Sequence, residues 1–266
     1  MKRLLIAALL IIIPYSLNGF DELLFKPLTA NVFEPRIGSS YQFSSEKLRL
    51  DIGASFDLSE INISKNLETR FGVDFFTYTR LRSEGSFKFP VETSDYFFGV
   101  NFSAKKQIQD FMLSGRLRIS HISSHLVDGY ATGNQFNKTP FVYSREFTDL
   151  VFAAKYKIFR FYMGWQLLFS KIPRDFAANN YQLGFDFERS LLSFLYLNGG
   201  YDLKIKGIGD IYTAVHSLQL GLYIAMSEKT GISFDYNYFD GKSIHGMFYN
   251  ERDVYSSAGF RIIYYY

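Results

Sequence analysis

The stretch Leu48-Arg-Leu-Asp-Ile-Gly-Ala-Ser-Phe-Asp-Leu58 decides the fold. Leu48, Leu50, Ile52, Ala54, Phe56 and Leu58 fall on one side of an extended chain, and Arg49, Asp51, Gly53, Ser55 and Asp57 on the other. Period-two alternation marks a strand with unlike faces. The pattern recurs: Tyr181, Leu183, Phe185 and Phe187 oppose Gln182, Gly184, Asp186 and Glu188, and Leu218–Met226 and Ile232–Tyr238 repeat it. Soluble sandwiches alternate too, so charge has to choose between the two. Arg70, Asp74, Arg116, Arg118, Asp186 and Asp235 recur on the polar face deep inside strands. A barrel lumen accepts such charges when they are paired or hydrated, whereas hydrocarbon does not. The apolar rows are therefore expected to face lipid.

Composition agrees. Phe and Tyr number 29 and 20 against a single Trp, and aromatics make up 19% of the chain. Such residues favour strands and the two interfaces of a membrane. Mean hydropathy is −0.04, as expected when only half of each strand meets lipid. There is no Cys, which excludes disulfides, thiolate catalysis and thiolate metal sites. The formal charge of +3 holds no basic run that would suggest nucleic acid. No P-loop, dinucleotide fingerprint, HExxH or GxSxG occurs.

The chain opens with Lys2 and Arg3, then apolar residues from Leu4 to Ile13 and Pro14. Ten helical residues rise about 15 Å, too short for a hydrocarbon core of roughly 30 Å. The layout is that of a signal peptide over residues 1–19; its loss would remove two positive charges and leave +1. Residues 20–33 are expected to form a periplasmic segment packed under the barrel, with a plug-like insertion as the alternative, and residues 34–266 the barrel itself.

Twelve strands are expected, near 34–42, 48–58, 67–80, 95–105, 112–123, 146–157, 160–169, 180–188, 193–202, 214–226, 230–239 and 252–266. The fold class is an all-β, antiparallel, up-and-down transmembrane barrel of about 12 strands. Connections near 59–66, 106–111, 158–159, 189–192 and 227–229 are short. Those near 81–94, 124–145, 170–179, 203–213 and 240–251 are longer. The alternation fits periplasmic turns and outer loops, with 43–47 as a short exception. In the last segment Phe260, Ile262, Tyr264 and Tyr266 share a face and end on an aromatic residue. That resembles the signal read by the outer-membrane barrel assembly machinery, with Tyr in place of the usual Phe.

One segment carries chemistry: Arg118-Ile-Ser-His121-Ile-Ser123-Ser124-His125-Leu-Val-Asp128. If Arg116 and Arg118 face the lumen, then His121 and Ser123 face lipid near the outer boundary. Residues i and i+2 lie about 6.6 Å apart along a strand, a gap an imidazole can bridge, so His121 can activate the Ser123 hydroxyl against an ester. The same parity turns Glu146, on the next strand, outward at similar height to orient the imidazole. The ordinary alternative is a polar strand end that bonds loop backbone or lipopolysaccharide phosphates. A metal site from His121, His125 and Asp128 is a third reading. For Arg49, Asp51, Arg70, Asp74, Arg116 and Arg118 the expectation is a lumen ion-pair network. Inward Phe97 and Tyr223 suggest a largely filled lumen. His216 and His245 read as ordinary polar residues at or in outer loops.

The His121-x-Ser123 pair with Glu146 resembles outer-membrane phospholipase A and the lipid A 3-O-deacylase. The resemblance implies His121 as base, Ser123 as nucleophile and Glu146 as orienter. Both families usually carry Asn directly after that Ser, where this chain has Ser124. A broader likeness joins Leu24-Phe25-x-Pro27-Leu28-x-Ala30, Glu34-Pro35-Arg36, Asp95-Tyr96, His121-x-Ser123-Ser124-His125-Leu126-x-Asp128 and Tyr143-Ser144-Arg145-Glu146. Together these resemble a family of bacterial outer-membrane barrels of unknown function. Its members tend to carry Gly before that Asp and an acidic residue after it, where Val127 and Gly129 stand here.

Two functions follow as expectations. The first is an integral outer-membrane barrel serving envelope structure, surface recognition or small-solute passage. The second is a serine-type lipid esterase. No cofactor is expected, with Ca²⁺ to be considered for the esterase. Expected partners are outer-membrane lipids, lipopolysaccharide and the assembly machinery.

Overall fold

The computed structural model describes residues 22–228 and 230–264; the signal-peptide expectation and Tyr266 lie outside them. The strands are β1 (Ile37–Gln42), β2 (Lys47–Glu60), β3 (Glu68–Arg82), β4 (Val91–Ile108), β5 (Phe111–Leu126), β6 (Ala131–Thr132), β7 (Gln135–Phe136), β8 (Tyr143–Tyr156), β9 (Phe159–Ile172), β10 (Asn179–Leu192), β11 (Leu195–Ile208), β12 (Ile211–Ala225), β13 (Thr230–Lys242) and β14 (Arg252–Tyr264). All but β6 and β7 form one closed barrel, in which each strand pairs with its sequence neighbour and β1 with β14. The twelve pairings are antiparallel, and the ring closes with Ile37 opposite Ile262. Closure gives every strand a partner on both sides, which removes the free edges that hydrocarbon cannot satisfy.

The expected exterior is present. Ile52, Phe75, Phe98, Phe152, Phe161, Leu183, Leu220 and Phe234 are all exposed. Residues of the opposite parity turn inward and are buried, among them Arg49, Asp51, Asp74, Arg116, Arg118, Asp186 and Asp235. An apolar belt outside and paired charges inside is the arrangement a transmembrane barrel needs.

Two sequence expectations are corrected. The connection near 203–213 is a two-residue turn, because β11 runs to Ile208 and β12 starts at Ile211. Lys204 and Lys206 look like loop residues in the sequence, but they are inward positions of a strand that keeps its alternation. Gly209 (φ +60°) supplies the left-handed backbone that so tight a turn requires.

The second correction concerns the segment before β1. Instead of packing beneath the barrel, it runs inside the lumen, and the first strand starts at Ile37 rather than residue 34. Leu24 N donates to Asp57 Oδ2 (2.7 Å), and Arg160 donates to the carbonyls of Lys26 and Pro27 (2.8 Å each). Farther along, Glu34 sits between Arg116 and Arg118. A short apolar-rich segment has no core of its own. The lumen offers Phe25 and Leu28 a pocket against Val151, Ala153 and Tyr162, and it offers Glu34 two guanidinium groups.

The opposite end is closed from above. The β13–β14 connection folds into the barrel mouth, burying Ile244, His245, Met247 and Phe248. These pack on Phe76, Tyr78, Phe97, Ile122, Tyr143, Phe147 and Phe239. The lumen therefore has a true apolar core in its outer half, well beyond the filled channel that Phe97 and Tyr223 imply.

Candidate functional site

Strand β5 divides the His-x-Ser-Ser-His motif between two environments. Arg116, Arg118, Ser120, Ile122 and Ser124 are buried inward, whereas Ile119 is exposed to the outside. His121 and Ser123 share the parity of Ile119 and so stand on the lipid-facing wall. Ten residues of β5 precede His121 from the short-turn rim, which puts it in the outer half of the strand.

Antiparallel pairing sets the rest of the cluster. Register places His121 opposite Glu146 and Ser123 opposite Ser144 on β8, and His121 opposite Phe98 and Ser123 opposite Tyr96 on β4. His121 Nδ1 lies 2.8 Å from Glu146 Oε1, and Ser144 Oγ donates to the same oxygen at 2.7 Å. An ionised carboxylate only accepts, so Nδ1 carries the proton and Nε2 is left as the basic nitrogen. On the far side, Ser170 of β9 stands opposite Glu146, where a bulge between Glu146 and Phe147 shifts the register. The side chains of His121 and Glu146 are 39% and 30% exposed, so both ends of the pair are open to whatever lies against the wall. Ser123 makes no side-chain hydrogen bond among the described residues. The structure thus brings His121 and Glu146 together and sets Ser123 two residues along the same face, without a formed Ser–His bond. His125 also faces out and packs on the Tyr96 ring at 6.0 Å.

Inward neighbours of the motif hold the wall from behind. Ser124 Oγ accepts from Met247 N at 3.1 Å. Asp95, next to Tyr96, accepts from Gly246 N and pairs with His245 Nδ1, each at 2.7 Å. His245 is 2% exposed, and this is the third correction: it is a buried tie between loop and barrel, not an ordinary loop side chain. Burial holds its imidazole below the usual range, with Asp95 acting in the opposite sense. His216 lies on β12, within the strand expected near 214–226, with Nδ1 at 2.6 Å from the Tyr201 hydroxyl.

Many lumen charges are ion-paired, and Arg116, Glu34, Arg118 and Asp74 are linked in one chain. Arg49 bonds Asp51 at 2.8 Å, and Arg70 bonds Asp57 at 3.2 Å. Arg118 bonds Asp74 at 3.0 Å and Glu34 at 2.8 Å, and Arg116 clasps both Glu34 oxygens at 2.5 and 3.0 Å. Glu34, Asp95 and His245 escaped the reasoning from strand pattern. Glu34 and Asp95 do stand within the motifs of the broader family resemblance, and that was the available signal.

Among the described residues no group of three or more His, Asp or Glu side chains is placed to hold a metal. Calcium takes six to eight oxygen ligands. Beside Ser123 the wall offers hydroxyls and one carboxylate, and that carboxylate is already bonded to His121 and Ser144. The residues of one chain do not fit a calcium site here.

No family model and no curated protein sequence matches the chain. Solved structures do. Outer membrane phospholipase A from Escherichia coli superposes with a TM-score of 0.55 at 11% identity, covering 88% of this chain and 94% of that one. The outer membrane phospholipase dimer of Salmonella typhi with bound calcium gives 0.56 at 11%, covering 91% and 96%. The NanC porin gives 0.50 at 10%, covering 86% and 98%. Identity this low speaks for the fold alone. The chain thus has the fold of these outer-membrane β-barrels: a closed ring of twelve strands, with a largely filled lumen and a polar His–Glu–Ser cluster on its outer wall.

Proposed function

We propose that the wall cluster is the active site of an outer-membrane lipid esterase acting on acyl esters of phospholipid or lipid A. The observation that carries the reading is the 2.8 Å contact of His121 Nδ1 with Glu146 Oε1 on the lipid-facing side. A carboxylate buried in a lumen has many structural uses. A carboxylate–imidazole pair turned toward hydrocarbon has few, because polar groups there are costly.

The chemistry follows from the geometry. Glu146 fixes the tautomer, so His121 Nε2 accepts the Ser123 hydroxyl proton as Oγ attacks the ester carbonyl. The imidazolium that forms is stabilised by Glu146. It then returns the proton to the leaving alcohol, giving an acyl-Ser123 and a lyso-lipid. A water, deprotonated by the same imidazole, releases the fatty acid. The bond between His121 and Ser123 would form as substrate fills the wall, since catalytic hydrogen bonds commonly tighten only in the complex. The substrate arrives laterally from the membrane, which suits a site on the outside of a barrel whose lumen is largely filled.

The test is purified, folded protein in detergent presented with phospholipid and with lipid A, with and without calcium. Release of fatty acid that disappears in Ser123→Ala is expected. No release by the wild type under any of these conditions, or release that survives Ser123→Ala, overturns the reading.

A second reading is a non-catalytic envelope barrel for structure or surface recognition, favoured by the closed outer mouth. The filled lumen weighs against a wide channel. Lipopolysaccharide is the partner proposed for the polar outer wall. The assembly machinery is proposed to read the outward row of Phe260, Ile262 and Tyr264.

A further inference from the structure

Several lumen cations have no carboxylate partner among the described residues, and two of these, on β8 and β11, line the same cavity. Arg145 of β8 is 7% exposed, and its Nε has no hydrogen-bond partner. Its guanidinium rests on the Tyr143 and Phe176 rings at 5.3 and 5.2 Å. No acidic side chain lies within ion-pair reach of it among the described residues. Lys206 of β11 likewise has no ion pair among them, and its Nζ stands over the Phe33 ring at 4.5 Å. Arg145 and Lys206 line one cavity with Arg118, Asp149, Gln166 and Asn180, floored by Phe33 of the lumen segment. Arg118 and Lys204, also on its wall, are already bonded to Asp74 and Asp202. The balance is two unmatched cations against one carboxylate, Asp149. A buried guanidinium without a counter-ion is strongly unfavourable, and natural proteins pair such charges or bind a ligand there.

We infer that this cavity is a binding site for a small oxyanion, held between Arg145 and Lys206. Arg offers a planar fork suited to phosphate, sulfate or carboxylate, and Lys adds a compact point charge. Aromatic rings around both cations keep water sparse and strengthen the attraction. The amides of Gln166 and Asn180 provide neutral hydrogen-bonding groups beside the charge. Asp149 limits the guest: with one negative charge already in place, a small anion neutralises the site, whereas a bulky polyanion meets repulsion. The barrel wall separates the cavity from the bilayer, so the guest is a free, water-borne anion and not a lipid headgroup. This site is independent of the wall chemistry, because Arg145 and Glu146 sit on opposite faces of β8.

The test is titration of the folded full-length protein in detergent with inorganic phosphate, sulfate and acetate at constant ionic strength and pH 7. Binding is read by calorimetry and by the shift in unfolding temperature, with chloride as the reference. At least one oxyanion is expected to bind saturably with one-to-one stoichiometry. Arg145→Gln and Lys206→Gln, each checked for the heat-modifiable migration of a folded barrel, should weaken that binding at least tenfold. Short-chain lipid phosphate in place of free phosphate should not compete. Absence of saturable binding of all three anions to the wild type overturns the site. So does undiminished binding in both variants, or competition by the lipid phosphate.

Discussion

Glu34→Gln is the most informative single change in this barrel. The carboxylate is 1% exposed and accepts from Arg116 Nη1 and Nη2 at 3.0 and 2.5 Å and from Arg118 Nη2 at 2.8 Å. Gln has nearly the same volume, so no cavity opens and packing loss does not enter. What changes is charge. Arg118 keeps Asp74 at 3.0 Å, whereas Arg116 loses the only carboxylate in ion-pair reach among the described residues and is left against the Phe25 ring at 4.5 Å. Removing one partner of a buried pair costs about 3–5 kcal/mol, because the other charge stays desolvated. The measurement is equilibrium urea unfolding in detergent or lipid, followed by the fluorescence of the single tryptophan, Trp165, which faces outward on β9 at 40% exposure. A second arm replaces both partners, Glu34→Gln with Arg116→Met. Without an orphaned charge the double variant should recover most of the loss. Glu34→Gln within about 0.5 kcal/mol of the wild type, a spread expected only of sites without buried partners, would refute the claim that Glu34 anchors the lumen segment. A double variant no better than the single one would refute the electrostatic cause.

Four further outcomes are expected. Glu146→Gln should lower fatty-acid release about 10²–10⁴-fold with little change in fold, since the orienter acts through the general base; equal rates would remove Glu146 from the site. Ile119→Arg, two residues below His121 on the lipid face, should destabilise the barrel by about 2–4 kcal/mol if that face meets the bilayer midplane, measured by the same unfolding assay in lipid. The docked outer loop should loosen in acid. Because the imidazole of His245 is held below its unfolded value of about 6.5, stability is full above that pH and is lost as pH falls toward the folded-state value. Limited proteolysis of the 243–251 loop from pH 8 to 5 reads this, and His245→Gln should flatten the dependence. Gly246→Ala should destabilise by about 1–3 kcal/mol, because a Cβ there would stand 2.5 Å from the Tyr143 ring and 2.6 Å from Ser124 Cβ; thermal unfolding would show it.

The sequence by itself determined the barrel, its strand number and which side chains face lipid. Period-two alternation is a local property, and Leu48–Leu58 or Tyr181–Glu188 declares its two faces without reference to any neighbour. Parity along β5 likewise put His121 and Ser123 outside once Arg116 and Arg118 were placed inside. Tertiary structure alone decided what fills the ring. The path of residues 22–36 through the lumen has no periodicity to announce it, and Glu34 meets Arg116 across 82 residues of sequence. The tie of His245 to Asp95 spans 150 residues. Strand pattern also misread Lys204 and Lys206 as loop, because a charge pointing into a lumen and a charge pointing into water are written with the same letter. The physical reason is common to these cases: local pattern fixes the direction of a side chain, but only closure of the ring fixes which distant group it meets.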